Sequence, residues 1–257
     1  MKTFLNRKKS FNTPLLTAQT EEGLLLEINN CILQGADSFG FMIERLPKEL
    51  RTKEKMQLFF KAMGERPIYV TCYQKGDVVE ETDDERADYL LQALTCGATL
   101  ADIRGDMYAP CEGELTFDND AIEKQKQLIE KIRAMGKESL MSSHISYNGK
   151  WTFLPCEEVL KIALEHQSRG VDMIKIVTNA DTDKELNENF KTYFYVREKV
   201  KIPLLFLCNG EKCLAHRLAG PLIGEPIVFT KEQSYVTNPN SPQQPVSVVK
   251  QWTDRLG

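Results

Sequence analysis

The chain has 257 residues, enough for one large domain or two small ones, and either can bury a full hydrophobic core. A composition of 42% hydrophobic and 27% charged residues is ordinary for a globular protein. The net charge of −4 gives no reason to expect nucleic acid or an anionic membrane surface as a partner. Small molecules or further copies of the chain are therefore the expected partners.

Seven cysteines are scattered along the chain without a CxxC pair, which argues against a zinc site and against a disulfide framework. We expect reduced thiols, no metal and no cofactor. The first eleven residues include basic side chains but no apolar segment, and no later run has the length of a membrane span. These features predict a cytoplasmic protein that binds neither a membrane nor nucleic acid.

Short apolar runs alternate along the chain with longer amphipathic ones. Short apolar runs bounded by turn residues predict buried strands. The predicted strands are Leu15–Gln19, Ser38–Glu44, Ile68–Tyr73, Leu100–Arg104, Ser139–Ile145, Met173–Thr178, Leu204–Cys208 and Pro226–Thr230. The predicted helices are Glu21–Gln34, Lys48–Met63, Asp83–Cys96, Asn119–Met135, Pro155–Arg169, Asp183–Lys199, Cys213–Ile223 and Gln244–Leu256.

Eight strands, each followed by a helix, predict an α/β protein with a single (β/α)8 TIM barrel. The barrel domain would span residues 1–257, with residues 1–12 as a short N-terminal extension. A doubly wound open sheet is the alternative. Such a sheet normally carries a glycine-rich phosphate loop after its first strand, and Thr17-Ala18-Gln19-Thr20 is not one.

The predicted sixth strand places Lys175 inside an apolar run. Side chains alternate along a strand, so Lys175 shares a face with Met173 and Val177, while Ile174 and Ile176 point the other way. An apolar face disfavours the ammonium relative to the neutral amine, which is the form that attacks a ketone to give a Schiff base. The alternative is a lysine near a strand end whose amine reaches solvent.

Two further residues are predicted near the carboxyl ends of strands, where barrel enzymes carry their chemistry. His144 ends the fifth strand and is a candidate general acid and base, or else a structural histidine. Arg217 follows the seventh strand and can pair with a substrate carboxylate, or else lies on a helix surface. His166 falls in a helical pattern and is predicted at the surface, whereas His216 is predicted to be structural or to support Arg217.

The polar loop from Lys231 to Gln244 contains Pro239 and Pro242. A loop of this length after the last strand can close over a bound substrate, or it can be a solvated connector. The sequence leaves both interpretations open.

Taken together, several segments resemble type I 3-dehydroquinate dehydratase, a Schiff-base enzyme of the shikimate pathway in aromatic amino acid biosynthesis. The resemblance covers nearly the whole chain. The matching segments, in order, are Gly35-Ala36-Asp37, Pro67–Thr71, Ser143-His144, Gly170–Ile176, Asn209-Gly210 with His216-Arg217, and Ser241–Gln244.

The resemblance implies a lyase that eliminates water from a cyclic β-hydroxy ketone carboxylate. By that resemblance Lys175 forms the imine, His144 is the general acid and base, Arg217 holds the carboxylate and Gln244 belongs to a lid over the substrate. The expected partner is a small keto acid, and the resemblance also makes a homodimer plausible.

Several positions depart from the family pattern. Gly40 and Met42 stand where the family has a substrate-binding glutamate and arginine, and Tyr73 replaces a second arginine. Arg104 replaces the glutamate that orients the catalytic histidine, which leaves Asp102 and Asp106 as the nearest carboxylates. The residues predicted to form an altered substrate pocket are Tyr73, Arg104, Asp102, Asp106 and Glu44.

Two other functions fit the same residues. One is a different class I imine enzyme, such as an aldolase or a decarboxylase. The other is a non-catalytic ligand sensor on a decayed dehydratase. The presence of both Lys175 and His144 favours catalysis, because a buried lysine without a task only costs stability.

Overall fold

The computed structural model describes residues 2–5, 10–74, 80–235 and 241–256. The main strands, each buried along most of its length, are β1 (Phe11–Pro14), β2 (Phe39–Met42), β3 (Ile68–Thr71), β4 (Leu100–Arg104), β5 (Glu138–His144), β8 (Met173–Asn179), β9 (Leu204–Asn209) and β10 (Ile227–Lys231). Three two-residue strands complete the set: β6 (Ser146–Tyr147), β7 (Lys150–Trp151) and β11 (Gln244–Pro245).

A helix follows each main strand. The helices are α1 (Glu21–Leu33), α2 (Lys53–Ala62), α3 (Asp83–Cys96), α4 (Asn119–Ala134), α5 (Cys156–Ser168), α6 (Asp183–Lys199), α7 (Cys213–Ile223) and α8 (Val246–Leu256). Polar side chains cap several of their first turns: Thr82 and Thr182 each accept from the third following amide, with Glu85 and Glu185 completing a capping box. Within the described residues, no helix is both long and apolar enough to cross a membrane.

Several predicted boundaries are wrong by two residues or more. The first strand lies at Phe11–Pro14 rather than Leu15–Gln19, so Phe11 and Asn12 belong to β1 and not to an extension. The sequence Asn12-Thr13-Pro14 looks unlike a buried strand, but the Asn12 side chain donates to the carbonyl of Val246 and accepts from Thr230. Helix α2 begins after Thr52 rather than at Lys48, and Gln244 lies in β11 before α8 begins.

The contacts between residues divide the chain into two units. Unit 1 consists mainly of Phe11–Asp102 and Ile227–Gly257. All its strand pairs are parallel: β10 pairs with β1 and β11, and β3 pairs with β2 and β4. A further parallel bridge between Leu15 and Gly40 connects the end of β1 to β2.

Unit 2 consists mainly of Ile103–Pro226 and contains β5, β8 and β9 as parallel neighbours. Ile174 and Ile176 of β8 pack in one buried cluster with Val159 of α5 and Val196 of α6. That face of β8 is covered by helices. Because side chains alternate along a strand, Lys175 points to the opposite face, as predicted.

Candidate active site

Lys175 and His144 lie on adjacent paired strands of unit 2. Lys175 of β8 is in register with Ser142 of β5, and His144 is in register with Val177. Residues two apart on a strand share a face, so His144 lies one step beyond Ser142, toward the carboxyl end, on the face of Lys175. Lys175 is only 4% exposed, and the side chain of His144 is partly exposed.

The imidazole of His144 is held by Glu114. Its Nδ1 lies 2.7 Å from Oε2 of Glu114, and its backbone amide donates to the same oxygen at 3.0 Å. Burial by itself raises the pKa of Glu114, but His144 and then Arg104 outweigh burial and lower that pKa to about 2. An ionised carboxylate only accepts hydrogen bonds, so Nδ1 carries the hydrogen and Nε2 is the ring nitrogen left for chemistry.

Glu114 was not among the predicted site residues. The sequence predicted Asp102 and Asp106 as the nearest carboxylates to His144, and the structure corrects this. Glu114 follows β4 by ten positions, in an irregular turn at Glu112–Glu114. Sequence spacing gives no signal for a contact between such a turn and the next strand.

The loop from Gly105 to Thr116, here called the Glu114 loop, is closed at its neck. Thr116 N donates to Gly105 O, which joins the two ends of the loop directly. Arg169, the residue that directly follows α5, is almost fully buried and donates to the carbonyls of both Gly105 and Thr116, at 2.8 and 2.5 Å. Gln125 of α4 donates to the carbonyls of Gly105 and Met107. The loop is therefore fixed by two helices.

His166 of α5 is connected to the Glu114 loop through the Ser143 hydroxyl. It is fully buried, so its predicted surface position is wrong. The Ser143 hydroxyl donates to Glu114 O at 2.7 Å and lies 2.9 Å from Nε2 of His166. Since a carbonyl only accepts, the hydroxyl uses its hydrogen on Glu114 and receives one from His166. Helical periodicity placed His166 on α5 but did not show that this side of the helix faces the loop.

Replacing Arg169 with methionine should lower the free energy of unfolding by about 2–5 kcal/mol. The change leaves buried carbonyls and the Gln125 side chain without their charged donor. Urea unfolding measures the effect. The matched control is Arg133→Met, because Arg133 also donates to a carbonyl, that of Gly170, but is exposed and should cost less than about 1 kcal/mol. Equal losses in the two variants would contradict the role of Arg169.

Arg104 and Asp106 form a two-point ion pair beside the site. Arg104 Nε and Nη2 lie 2.8 and 2.6 Å from the two carboxylate oxygens of Asp106, which is fully buried. Asp106 also accepts from the amide of Cys111 in the Glu114 loop. Asp106 thus holds Arg104 and the loop rather than His144.

Arg217 is anchored at the carboxyl end of β9. It lies on α7 and is buried, with Nε donating to Cys208 O at 2.9 Å and Nη2 to Asn209 Oδ1 at 3.1 Å. Cys208 and Asn209 are in register with Thr178 and Asn179 of β8. The guanidinium is therefore held near the carboxyl end of the strand that carries Lys175.

His216 is structural. It is fully buried against the rings of Phe190 and Phe206, with centroid separations of 4.9 and 5.8 Å. Burial, and then the charge of Arg217, lower its pKa to about 3. His216, which directly precedes Arg217 in the sequence, is therefore neutral near pH 7 and packs against the two phenylalanine rings.

Tyr73 and Asp102, two of the predicted pocket residues in unit 1, lie in one hydrogen-bonded cluster with Tyr69. Tyr69 and Tyr73 both donate their phenolic hydrogen to Asp102, Tyr73 at 2.5 Å, and all three side chains are buried. Burial, and then the charge of Asp102, raise the pKa of Tyr69 well above its usual range. Asp102 and Tyr73 were both predicted, whereas Tyr69 was missed because it looks like an ordinary strand residue.

Glu44 and Gly40 also lie in unit 1. The buried Glu44 carboxylate accepts from the Thr71 hydroxyl at 2.9 and 3.0 Å. A Cβ added at Gly40 would lie 2.5 Å from Cδ2 of Leu15, so no larger side chain fits there unless Leu15 moves. A glutamate at position 40 would therefore require the end of the Leu15 side chain to shift.

Gln244 lies at the end of the predicted lid. It pairs with Thr230 in β11, and its side-chain amide donates to Ser241 O at 2.8 Å. Residues 236–240 of the same segment, including Pro239, lie outside the described residues. No group of three or more His, Cys, Asp or Glu side chains arranged to hold a metal ion occurs in the described parts of the chain.

The family model for type I 3-dehydroquinase matches residues 14–251 of the chain. The chain belongs to the type I 3-dehydroquinase family. The predicted family is thereby confirmed, and the match extends from the end of β1 into α8.

Individual members of the 3-dehydroquinase family are distant in sequence. A curated 3-dehydroquinate dehydratase from Geobacillus sp. (strain WCH70) is 24% identical over 177 residues, which are 68% of this chain and 62% of the relative. The alignment thus spans less than two thirds of that relative.

Solved 3-dehydroquinate dehydratases share the fold. The crystal structure from Geobacillus kaustophilus HTA426 has a TM-score of 0.76 at 16% identity, covering 95% of this chain and 90% of that one. The type I enzyme from Clostridium difficile, solved with covalent modified comenic acid, has a TM-score of 0.78 at 14% identity and covers 96% and 92%. These matches confirm the predicted (β/α)8 fold.

Proposed function

We propose that this 3-dehydroquinase family member is a Schiff-base lyase that eliminates water from a cyclic β-hydroxy ketone carboxylate. The observation that carries the proposal is the pairing of β5 with β8. It brings a buried lysine and a histidine held by a carboxylate to one face of adjacent strands. A nucleophile beside an oriented base is the arrangement that covalent catalysis requires.

The proposed reaction begins when the amine of Lys175 adds to the substrate ketone and water leaves, giving an iminium. The iminium draws electrons from the neighbouring carbon, and Nε2 of His144 removes a proton from that carbon. The electron pair then expels the β-hydroxyl, which takes a proton from His144 and leaves as water. Hydrolysis consumes one water and returns the amine, so the net change is the loss of one water.

The substrate proposed first is 3-dehydroquinate, which would place the protein in the shikimate pathway. The guanidinium of Arg217 would pair with the substrate carboxylate. Arg104, Asp106, Tyr73, Asp102, Glu44 and Gln244 remain proposed substrate-binding or supporting residues. A cytoplasmic location and a homodimer are part of the same proposal, and no cofactor is required.

The test is to mix the protein with 3-dehydroquinate, with and without borohydride. Dehydration creates a conjugated enone, so ultraviolet absorbance should rise, and borohydride should add substrate mass to the peptide that contains Lys175. Labelling with cleavage products but no enone would replace the proposal with an aldolase. If a panel of polyhydroxylated keto acids gave neither labelling nor turnover, the protein would be a ligand sensor.

Replacing Arg217 with lysine should raise KM for the keto acid about 10- to 100-fold, with a smaller change in kcat. Lysine keeps the charge but not the two-point geometry, and a charged hydrogen bond contributes about 1.5–3 kcal/mol. Steady-state kinetics measure the change. Arg197→Lys is the matched control, because Arg197 is exposed on α6 and donates to Ile223 O. A parent-like KM in Arg217→Lys would remove Arg217 from substrate binding.

A further inference from the structure

The double contact between Glu114 and His144 restrains both the ring and its tautomer. A single carboxylate oxygen receives the backbone amide and lies within hydrogen-bonding distance of Nδ1, so rotation of the imidazole would break a 2.7 Å bond. The neutral ring must then have its hydrogen on Nδ1 and its lone pair on Nε2. The alternative tautomer would place two acceptors against each other.

We propose that Glu114 is the positioning residue of His144, delivered by a rigid loop after β4 rather than by the strand itself. Strand position 104, where the family resemblance predicts such a glutamate, carries an arginine paired with Asp106. The catalytic consequence rests on the proposed function, whereas the effect on the ring does not.

The backbone of the Glu114 loop is held in a costly conformation. Glu114 has φ of 50° and Tyr108 has φ of 75°, both in the left-handed region that side chains other than glycine rarely occupy. A residue in this region is strained and persists only where its surroundings impose the conformation. The Ser143 hydroxyl on the Glu114 carbonyl, and Arg169 at the neck, supply those constraints.

A short hairpin covers the same turn. The β6–β7 pair follows directly after β5, and Tyr147 approaches Gly113 so closely that a Cβ there would lie 2.9 Å from the Tyr147 hydroxyl. The amide of Asn148 donates to the carboxylate of Glu112. The ring of Trp151 lies 6.2 Å from that of His144 in an edge-on arrangement. Glu114 and His144 are therefore held by the same small assembly.

Charges around the pair keep Glu114 ionised. Burial opposes ionisation, but the pKa of Glu114 is lowered to about 2 by His144 and Arg104. The charged groups of the surrounding elements also include Asp106, which is paired with Arg104, Glu112 in the same turn, Arg169 at the neck of the loop, Lys150 on β7 and Lys175 on β8. Coupling between two titrating groups is reciprocal, so an ionised Glu114 favours the protonated form of His144.

The first test observes His144 by nuclear magnetic resonance in the protein without substrate, with histidine labelled by ¹⁵N. We expect the Nδ1–H tautomer in the parent protein. Glu114→Ala should lose it, and the titration of His144 should move to lower pH by about one unit or more. Glu114→Gln keeps an acceptor, so it should retain the tautomer but show the lower titration. His144→Ala assigns the signal among the three histidines.

The matched control is Glu112→Gln. Glu112 lies in the same turn and loses the same charge, but its carboxylate receives the amide of Asn148 instead of His144. An amide oxygen can still accept that bond, so tautomer and titration should match the parent. Unchanged tautomer and titration in Glu114→Ala, or changes in Glu112→Gln as large as those in Glu114→Gln, would overturn the proposal.

The second test is kinetic. Glu114→Ala should lower kcat about 10- to 100-fold with little change in KM, and the acid limb of its pH–rate profile should move to lower pH. If Lys175 in the parent protein is not labelled, the proposed lyase function is overturned. The nuclear magnetic resonance experiment needs no substrate, so it would still test whether Glu114 sets the tautomer of His144. Normal labelling with a parent-like profile in Glu114→Ala would overturn the catalytic role of Glu114 alone.

Discussion

Lys175→Met should abolish borohydride labelling and lower kcat by roughly a thousandfold or more. Without its nucleophile an enzyme keeps only the part of its rate that binding and electrostatics supply. Methionine has nearly the volume of the buried lysine on β8, so the variant should still unfold in a cooperative transition. Product formation, peptide mass and urea unfolding measure these three quantities in the same preparation.

The matched control for this variant is Lys161→Met. Lys161 lies on α5, where its exposed ammonium pairs with Glu158 at 2.9 Å. Its replacement should leave both labelling and kcat at the parent level. Borohydride labelling that persists in Lys175→Met would show that another amine forms the imine, and the proposed mechanism would be wrong.

The order of strands and helices could be predicted because hydrophobic periodicity is a local property. The segment Met173–Asn179 reads as a buried strand, and alternation alone separated Lys175 from Ile174 and Ile176. The first strand was misplaced because Asn12 and Thr13 are polar. Asn12 is buried because it bonds to Val246 and Thr230, which are more than 200 positions away in the sequence. A local pattern does not contain such partners.

The residues of the candidate site likewise fall into those that the sequence predicted and one that it did not. Lys175 lies inside β8, His144 ends β5 and Arg217 lies on the helix that follows β9, so the order of strands and helices was enough to predict these positions. Glu114 could not be located, since its contact with His144 depends on the path of an irregular loop. That path is set by His166 on α5 and by Arg169 directly after it, both later in the chain.

The contact of Glu114 with His144 has a consequence for replacements at position 104. The change from glutamate to Arg104 on β4 does not leave His144 without a carboxylate, because Glu114 supplies one. Likewise, Gly40 is accompanied by Leu15, which fills the adjacent space. Replacing Arg104 alone with glutamate would remove a charge that lowers the pKa of Glu114 and would leave the buried Asp106 without its partner, so this change should not improve the orientation of His144.

His144→Ala should lower kcat by about 10²- to 10⁴-fold while Lys175 remains labelled by borohydride. Imine formation needs the amine and the ketone, whereas loss of the α-proton needs a base. The variant should therefore accumulate the imine ahead of proton transfer. Single-turnover kinetics with mass spectrometry of the trapped adduct measure the accumulation.

Chemical rescue separates lost chemistry from lost structure in His144→Ala. The side chain of His144 is partly exposed, so added imidazole can reach the vacated space beside Glu114 and should restore part of kcat. Lys175→Met is the control, because imidazole cannot replace an amine that forms the imine. Parent-like kcat in His144→Ala would remove the histidine from the mechanism. Loss of labelling as complete as in Lys175→Met, with the fold intact, would assign His144 to imine formation rather than to proton transfer.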